Sequence, residues 1–117
     1  MSKQLGQDYE QHAEAFLIKQ GIQILARNFH CKGGELDLVG LDQRCLVFIE
    51  VKYRQTEKFG HPNEFVSAQK QQRLYRCAQN FLLKHPSYQS HPMRFDVISF
   101  LSAHSNPNWT KDAFGSW

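Results

Sequence analysis

The chain has 117 residues, 41% of them apolar and 21% charged, the balance of one ordinary globular domain rather than of a disordered segment. Its net charge of +3 admits an acidic partner such as nucleic acid without demanding one. Three scattered cysteines, Cys31, Cys45 and Cys77, include no C-x-x-C pair, so neither a zinc knuckle nor a disulfide framework is expected. A polar N-terminus and the brevity of even the most apolar run, around Leu46–Ile49, argue against a signal peptide or a membrane span and for a reducing, cytoplasmic setting.

Leu5, Tyr9, Ala13, Phe16 and Leu17 recur at helical spacing, and Gly21 is a natural stop, which predicts a first helix from about Leu5 to Gln20. The run "IQILARNF" alternates imperfectly and reads as a strand ending near Asn28; "HCKGG" then makes a turn. "ELDLVGL" alternates cleanly, which puts Leu36 and Leu38 on one face and Glu35, Asp37 and Val39 on the other. After the short turn "GLDQR", Cys45 to Lys52 forms the second arm of an antiparallel hairpin. On that strand Val47, Ile49 and Val51 share one face; Leu46, Phe48, Glu50 and Lys52 share the other.

Tyr53 to Asn63 is expected to be a loop. A second helix follows from about Ser67, its N-cap, to Lys84, with Leu74, Cys77, Ala78, Phe81 and Leu82 as its apolar stripe. "HPSYQSHP" is a further loop and "MRFDVISFL" a last strand, and from Leu101 on irregular structure is expected. The order helix, three strands, helix, strand predicts an α/β domain around a mixed sheet.

The strand period puts Glu50 and Lys52 on one face, about 7 Å apart, and the hairpin can bring Asp37 across from them. Carboxylates crowded on a half-buried sheet repel one another and lose hydration, so something positive must compensate. An oxygen-seeking divalent cation such as Mg²⁺ would do so, and Lys52 would do so in part. Carboxylates holding a metal beside a lysine suit phosphodiester hydrolysis. The ordinary alternative is a Glu50–Lys52 salt bridge at an exposed strand end, with Asp37 at a loop edge.

"GGELDLVG" followed by "LVFIEVKYR" resembles the PD-(D/E)xK nuclease signature, an aspartate on one strand and Glu-x-Lys on the next. Leu36 stands where that signature has proline. With "GQDYEQHAEAFL", "ARNFHCKGG", "FGHP", the Lys70 helix, "RFDVISF" and "WTKDAF" in the same order, nearly the whole chain resembles the YraN-like family of small bacterial proteins. The resemblance implies one restriction-endonuclease-like domain over residues 1–117. It also implies Asp37 and Glu50 as metal-binding carboxylates, Lys52 as the catalytic lysine and Glu10 as a further acid at the metal. Glu35 matches the family's G-E-(I/L)-D motif without an assigned role. The implied cofactor is Mg²⁺, with Mn²⁺ as a substitute. The implied substrate is nucleic acid, DNA rather than RNA. The set Glu10, Asp37, Glu50 and Lys52 resembles that of archaeal junction resolvases, so a branched or recombination structure and a homodimer are natural expectations.

Glu14 lies one turn from Glu10 and is expected on a solvated face. On the basic second helix Lys70 and Arg73 could meet phosphates, as could Arg54 in a loop placed to cover substrate. Gln71 and Tyr75 form Q-x-x-x-Y, which some nucleases of this superfamily place beside the metal; packing is the simpler account of Tyr75. The six histidines show no metal-ligand spacing, and no P-loop or G-x-S-x-G is present. The sequence thus predicts a metal-dependent DNA nuclease. Its rivals are an inactive nucleic-acid-binding or protein-partner module on the same fold, and a scaffold that binds no nucleic acid.

Overall fold

A computed structural model describes residues 3–53, 66–101 and 106–115, with side chains from Asp8 onward. Helix α1 (Lys3–Lys19) precedes a meander of strands β1 (Gln23–Cys31), β2 (Gly34–Asp42) and β3 (Cys45–Tyr53). Helix α2 (Ala68–Lys84) and a single 3₁₀ turn (Pro86–Tyr88) lead to β4 (Met93–Phe100) and β5 (Asn108–Phe114). The five strands lie side by side in chain order. Every pair is antiparallel except β3 and β4, whose parallel pairing makes the sheet mixed. This is the α/β architecture and element order expected of a restriction-endonuclease-like core. Among the described residues no helix is long and apolar enough to cross a membrane.

The helices cover opposite faces. Tyr9, Ala13 and Leu17, each one turn after the last, bury against Leu38, Val47, Ile49, Ile98 and Phe100. Gly21 takes a φ of 92°, which lets the Ile22 N–H turn back to the Leu17 carbonyl at 3.0 Å and close the helix. On the other face Leu74, Cys77, Ala78 and Phe81 of α2 pack on Leu36, Val39, Leu46, Phe48, Phe95 and Val97. The Ser67 hydroxyl accepts from the Lys70 N–H at 3.1 Å, the N-cap expected. Gly40 allows the start of β1 to cross close by, since a Cβ there would stand 2.7 Å from Ile22 Cγ2.

Four expectations are corrected. First, Leu36 and Leu38 do not share a face: Leu36 packs under α2 and Leu38 under α1. The alternation reverses at Asp37 and, on the neighbouring strand, at Asn28, whose φ of 50° is left-handed. Second, β1 runs on past Asn28 to Cys31, despite that kink. Third, residues after Leu101 include a strand, β5, rather than irregular structure alone. Fourth, Cys31 and Cys77 are joined as a disulfide, with Cα atoms 5.4 Å apart, although no such link was expected. Docking of α2 over the end of β1 brings them together, which sequence spacing alone does not reveal. Of the expected Tyr53–Asn63 loop, Tyr53 closes β3 and the rest, Arg54 included, lies outside the described residues.

What holds β5 is a buried acid. Asp96 on β4 is wholly buried and accepts from Arg94 Nε at 3.0 Å, Trp109 Nε1 at 2.9 Å and the Asp112 backbone N–H at 2.9 Å. Arg94 also reaches Asp42 at 2.9 Å, so the acid is neutralised as well as bonded. The β4–β5 register shifts between Phe95 and Val97, and Asp112, at φ 51°, sits in the resulting bulge. Asp96→Ala would leave the indole N–H and the bulge N–H without their acceptor and the half-buried Arg94 with Asp42 alone. The expected cost is about 3–5 kcal/mol in urea unfolding, with the β5 amides losing exchange protection first.

Candidate metal centre

The β2–β3 register runs from Asp42↔Cys45 to Leu38↔Ile49, while β3 continues along β4 to Tyr53↔Phe100. Past Leu38 and Ile49 the two strands therefore part. In the gap the Val51 N–H donates to Asp37 Oδ2 at 2.9 Å, a carboxylate standing where a ladder carbonyl would otherwise be. The reversal of alternation explains how Asp37 comes to lie there. On β1, Arg27 faces α1 and bonds Glu14, whereas Phe29 faces α2 and meets Phe81 edge-on at 5.3 Å. Leu38 and Leu36 reverse in step across the pair. Asp37, between them, serves the gap rather than either core.

Other groups reach the gap from both faces. Glu10 comes from α1, held beside β3 by a stack of Tyr9 on Tyr53 with ring centres 4.6 Å apart. Glu35 comes from β2, two residues before Asp37. One oxygen from each of Glu10, Glu35 and Asp37 lies within 4.8 Å of the others. With its amide oriented so that nitrogen rather than oxygen faces the acids, Asn28 donates to Glu10 Oε1 at 2.6 Å and Glu35 Oε1 at 2.7 Å. His30 Nδ1 stands 3.7 Å from the other Glu35 oxygen. Glu50, on the α2 side and only 8% exposed, is paired with Lys70 Nζ at 2.5 Å.

Burial and crowding bear on Asp37, Glu10 and Lys52 in particular. Burial first, then the charge of Glu50, push the Asp37 carboxyl up to about 8; Glu10 and Glu35 add to this and the Val51 N–H opposes it. Glu10 is raised as well, by burial and then by Glu35 and Glu50. Lys52 is lowered, by burial and by the nearby Lys70 ammonium, against the pull of Glu50 and Asp37. These acids would each hold a negative charge more readily with a cation among them. An all-oxygen donor set suits a hard divalent ion such as Mg²⁺ or Mn²⁺, and the chain's residues fit one.

Glu10 and Asp37 thus meet as the sequence suggested, with Glu50 and Lys52 beside them. Glu35 joins them, and its signal was available: strand period two pairs it with Asp37. Asn28 was missed, because nothing local marks an asparagine that kinks a strand in order to bridge two acids. Glu14 is not simply solvated; Arg27 binds both of its oxygens at 2.5 Å. Lys70, expected on phosphate, is engaged by Glu50. Arg73 lies against the β1–β2 turn, its Cβ 3.6 Å from where a Gly34 side chain would begin. Gln71 donates to the Val66 carbonyl at 2.9 Å and accepts from the Tyr75 hydroxyl at 3.4 Å, while the Tyr75 ring packs on Phe95.

A family model described as "Uncharacterised protein family UPF0102" matches residues 9–100. A UPF0102 protein of Pseudomonas putida (strain GB-1) is 46% identical over 112 residues, 93% of this chain and 91% of that protein. One of Alcanivorax borkumensis is 46% identical over 96 residues, 82% and 77% of the two chains. One of Saccharophagus degradans is 42% identical over 102 residues, 87% and 85%.

The raised Asp37 pKa fixes the sign of a pH effect. Between its ordinary value near 4 and its folded value of about 8, the folded state binds the proton that the unfolded state has lost. In chelator, stability should therefore fall as pH rises through that window. Asp37→Asn keeps an acceptor for Val51 and removes the charge. It should flatten the decline and leave the protein more stable by roughly 2 kcal/mol at a pH of about 8, read from urea midpoints.

Proposed function

The chain belongs to the UPF0102 family, and from that footing we propose that it is a divalent-metal-dependent nuclease that hydrolyses DNA phosphodiester bonds. The observation that carries this reading is the convergence of Glu10, Glu35 and Asp37 oxygens within 4.8 Å, flanked by Glu50 and Lys52. Asp37 and Glu10 would hold the cation, with Glu35 and Glu50 completing an oxygen shell. When bound, Mg²⁺ or Mn²⁺ supplies the positive charge that polarises the scissile phosphate and makes water a better nucleophile.

The chain's own groups do the rest. The strand pair fixes Asp37 through Val51, and the Tyr9–Tyr53 stack fixes Glu10, so the acids converge before substrate arrives. Lys52 follows Glu50 on the same face of β3. Its half-buried ammonium orients the attacking water and meets the negative charge that develops on the phosphate. The water oxygen bonds to phosphorus, the phosphorus–oxygen bond to the leaving nucleotide breaks, and one water proton passes through solvent to the departing oxygen, giving a phosphate monoester and a free hydroxyl. DNA is the substrate proposed, a branched junction among its forms, and two copies of the chain would supply two cuts.

A second reading has an observation of its own. Lys70 on Glu50, and Asn28 on Glu10 and Glu35, already partner three of the acids from within the chain. An inactive nucleic-acid-binding or protein-partner module could keep such a cluster without turnover.

The two readings part on catalysis. Purified protein with Mg²⁺, Mn²⁺ or chelator should be incubated with labelled single-stranded, duplex, flap and four-way-junction DNA. The nuclease reading expects metal-dependent cleavage that falls by at least about a hundredfold in Glu50→Ala and in Lys52→Ala, with Lys52→Ala still binding DNA. Salt-sensitive binding with no cleavage of any substrate selects the module instead.

A further inference from the structure

Lys70 is a charged residue that the proposed chemistry does not use. Its ammonium lies 2.5 Å from Glu50 Oε1, and the two ends of this pair differ in freedom. The Glu50 side chain is 8% exposed and sits on a central strand; the Lys70 side chain is 39% exposed. The Ser67 cap pins the Lys70 backbone in the first turn of α2, so only the four-carbon stem need move for the ammonium to leave. Among the described residues, the acids with oxygens mutually within 4.8 Å are Glu10, Glu35 and Asp37. Glu50 stands aside from that trio, turned to Lys70.

From this arrangement we infer that Lys70 is a resident counter-charge on Glu50 that gives up its place when a divalent cation loads, and so sets the cation concentration at which the site fills. The inference rests on the metal-site reading above. Without an ion, a buried Glu50 carboxylate beside Asp37 needs a positive partner, and the Lys70 ammonium at 2.5 Å makes that state tolerable. Once an ion engages the acids, the same ammonium faces a second positive charge as well as the Lys52 ammonium, which lies close enough to repel it. Lys52 sits on the central strand β3, whereas Lys70 stands in the first turn of α2 with its side chain 39% exposed, so Lys70 is the one to depart. Every ion bound must therefore displace an ammonium, and apparent affinity is lower than the oxygen shell alone would give.

The test is calorimetric titration of Mn²⁺, without nucleic acid, into the wild type, Lys70→Gln, Glu50→Gln and the double variant. Lys70→Gln should bind Mn²⁺ roughly three- to tenfold more tightly than the wild type, since no ammonium has to be displaced. In the Glu50→Gln background the same lysine substitution should change affinity by less than about twofold. Equal or weaker binding by Lys70→Gln, with a wild type that does bind, overturns the exchange and leaves the metal site standing. An equal gain in both backgrounds also overturns it, because Lys70 would then act as distant charge rather than through Glu50. If neither the wild type nor Lys70→Gln binds Mn²⁺, the metal-site reading itself fails and takes this inference with it.

Discussion

The hydrogen bond from the Val51 N–H to Asp37 replaces a rung of the β2–β3 ladder, and the site exists because that rung is missing. A continuous hairpin would have given Val51 a backbone carbonyl and sent the Asp37 side chain to one face of the sheet. With the strands parted, the carboxylate satisfies the orphaned N–H and stands within 4.8 Å of oxygens from Glu10 and Glu35. The parting is prepared on β1 as well, where left-handed Asn28 turns the alternation over in step with Asp37. A kink that would weaken an ordinary strand is here the means of aiming an acid.

Because the gap passes through the sheet, the two helices can contribute to it from opposite sides. Glu10 descends from α1 and Lys70 from α2, although the cores beneath those helices are separate clusters. The site is therefore a junction of two half-structures, and its geometry depends on how each helix is seated. The Tyr9–Tyr53 stack seats one; the Ser67 cap and the packing of Leu74, Cys77 and Phe81 seat the other. Neither device touches the acids themselves.

The parts of this arrangement that obey a local period were legible in the sequence. Both helices, the hairpin, the same-face placement of Glu50 and Lys52 and the strand β4 follow from spacings of two or three to four residues. Legibility stops where a long-range contact overrides the period. Leu36 and Leu38 were assigned together because nothing near them announces the reversal. Strand β5 was missed because its exposed Asn108, Lys111 and Asp112 are not strand formers, and its anchor, Asp96, lies on another strand. Glu14 and Arg27 are thirteen residues apart, and their pairing is a product of α1 crossing β1. Metal ligands in a chain like this are read well as residue types and poorly as a set, since the set is chosen by tertiary geometry.

The Cys31–Cys77 bond adds a fact of covalent topology. Its ends stand 46 positions apart in sequence, and it closes a ring that contains β2, β3 and the first part of α2. Such a cross-link removes about 4 kcal/mol of freedom from an unfolded chain. Glu35, Asp37, Glu50, Lys52 and Lys70 all lie within the ring, and Glu10 alone lies outside it. In a chain that has lost its folded form the ring limits how far these five groups can stray from one another, while leaving them free of the folded geometry. The sixth, Glu10, carries no such limit, so its return to the site depends on the docking of α1 alone.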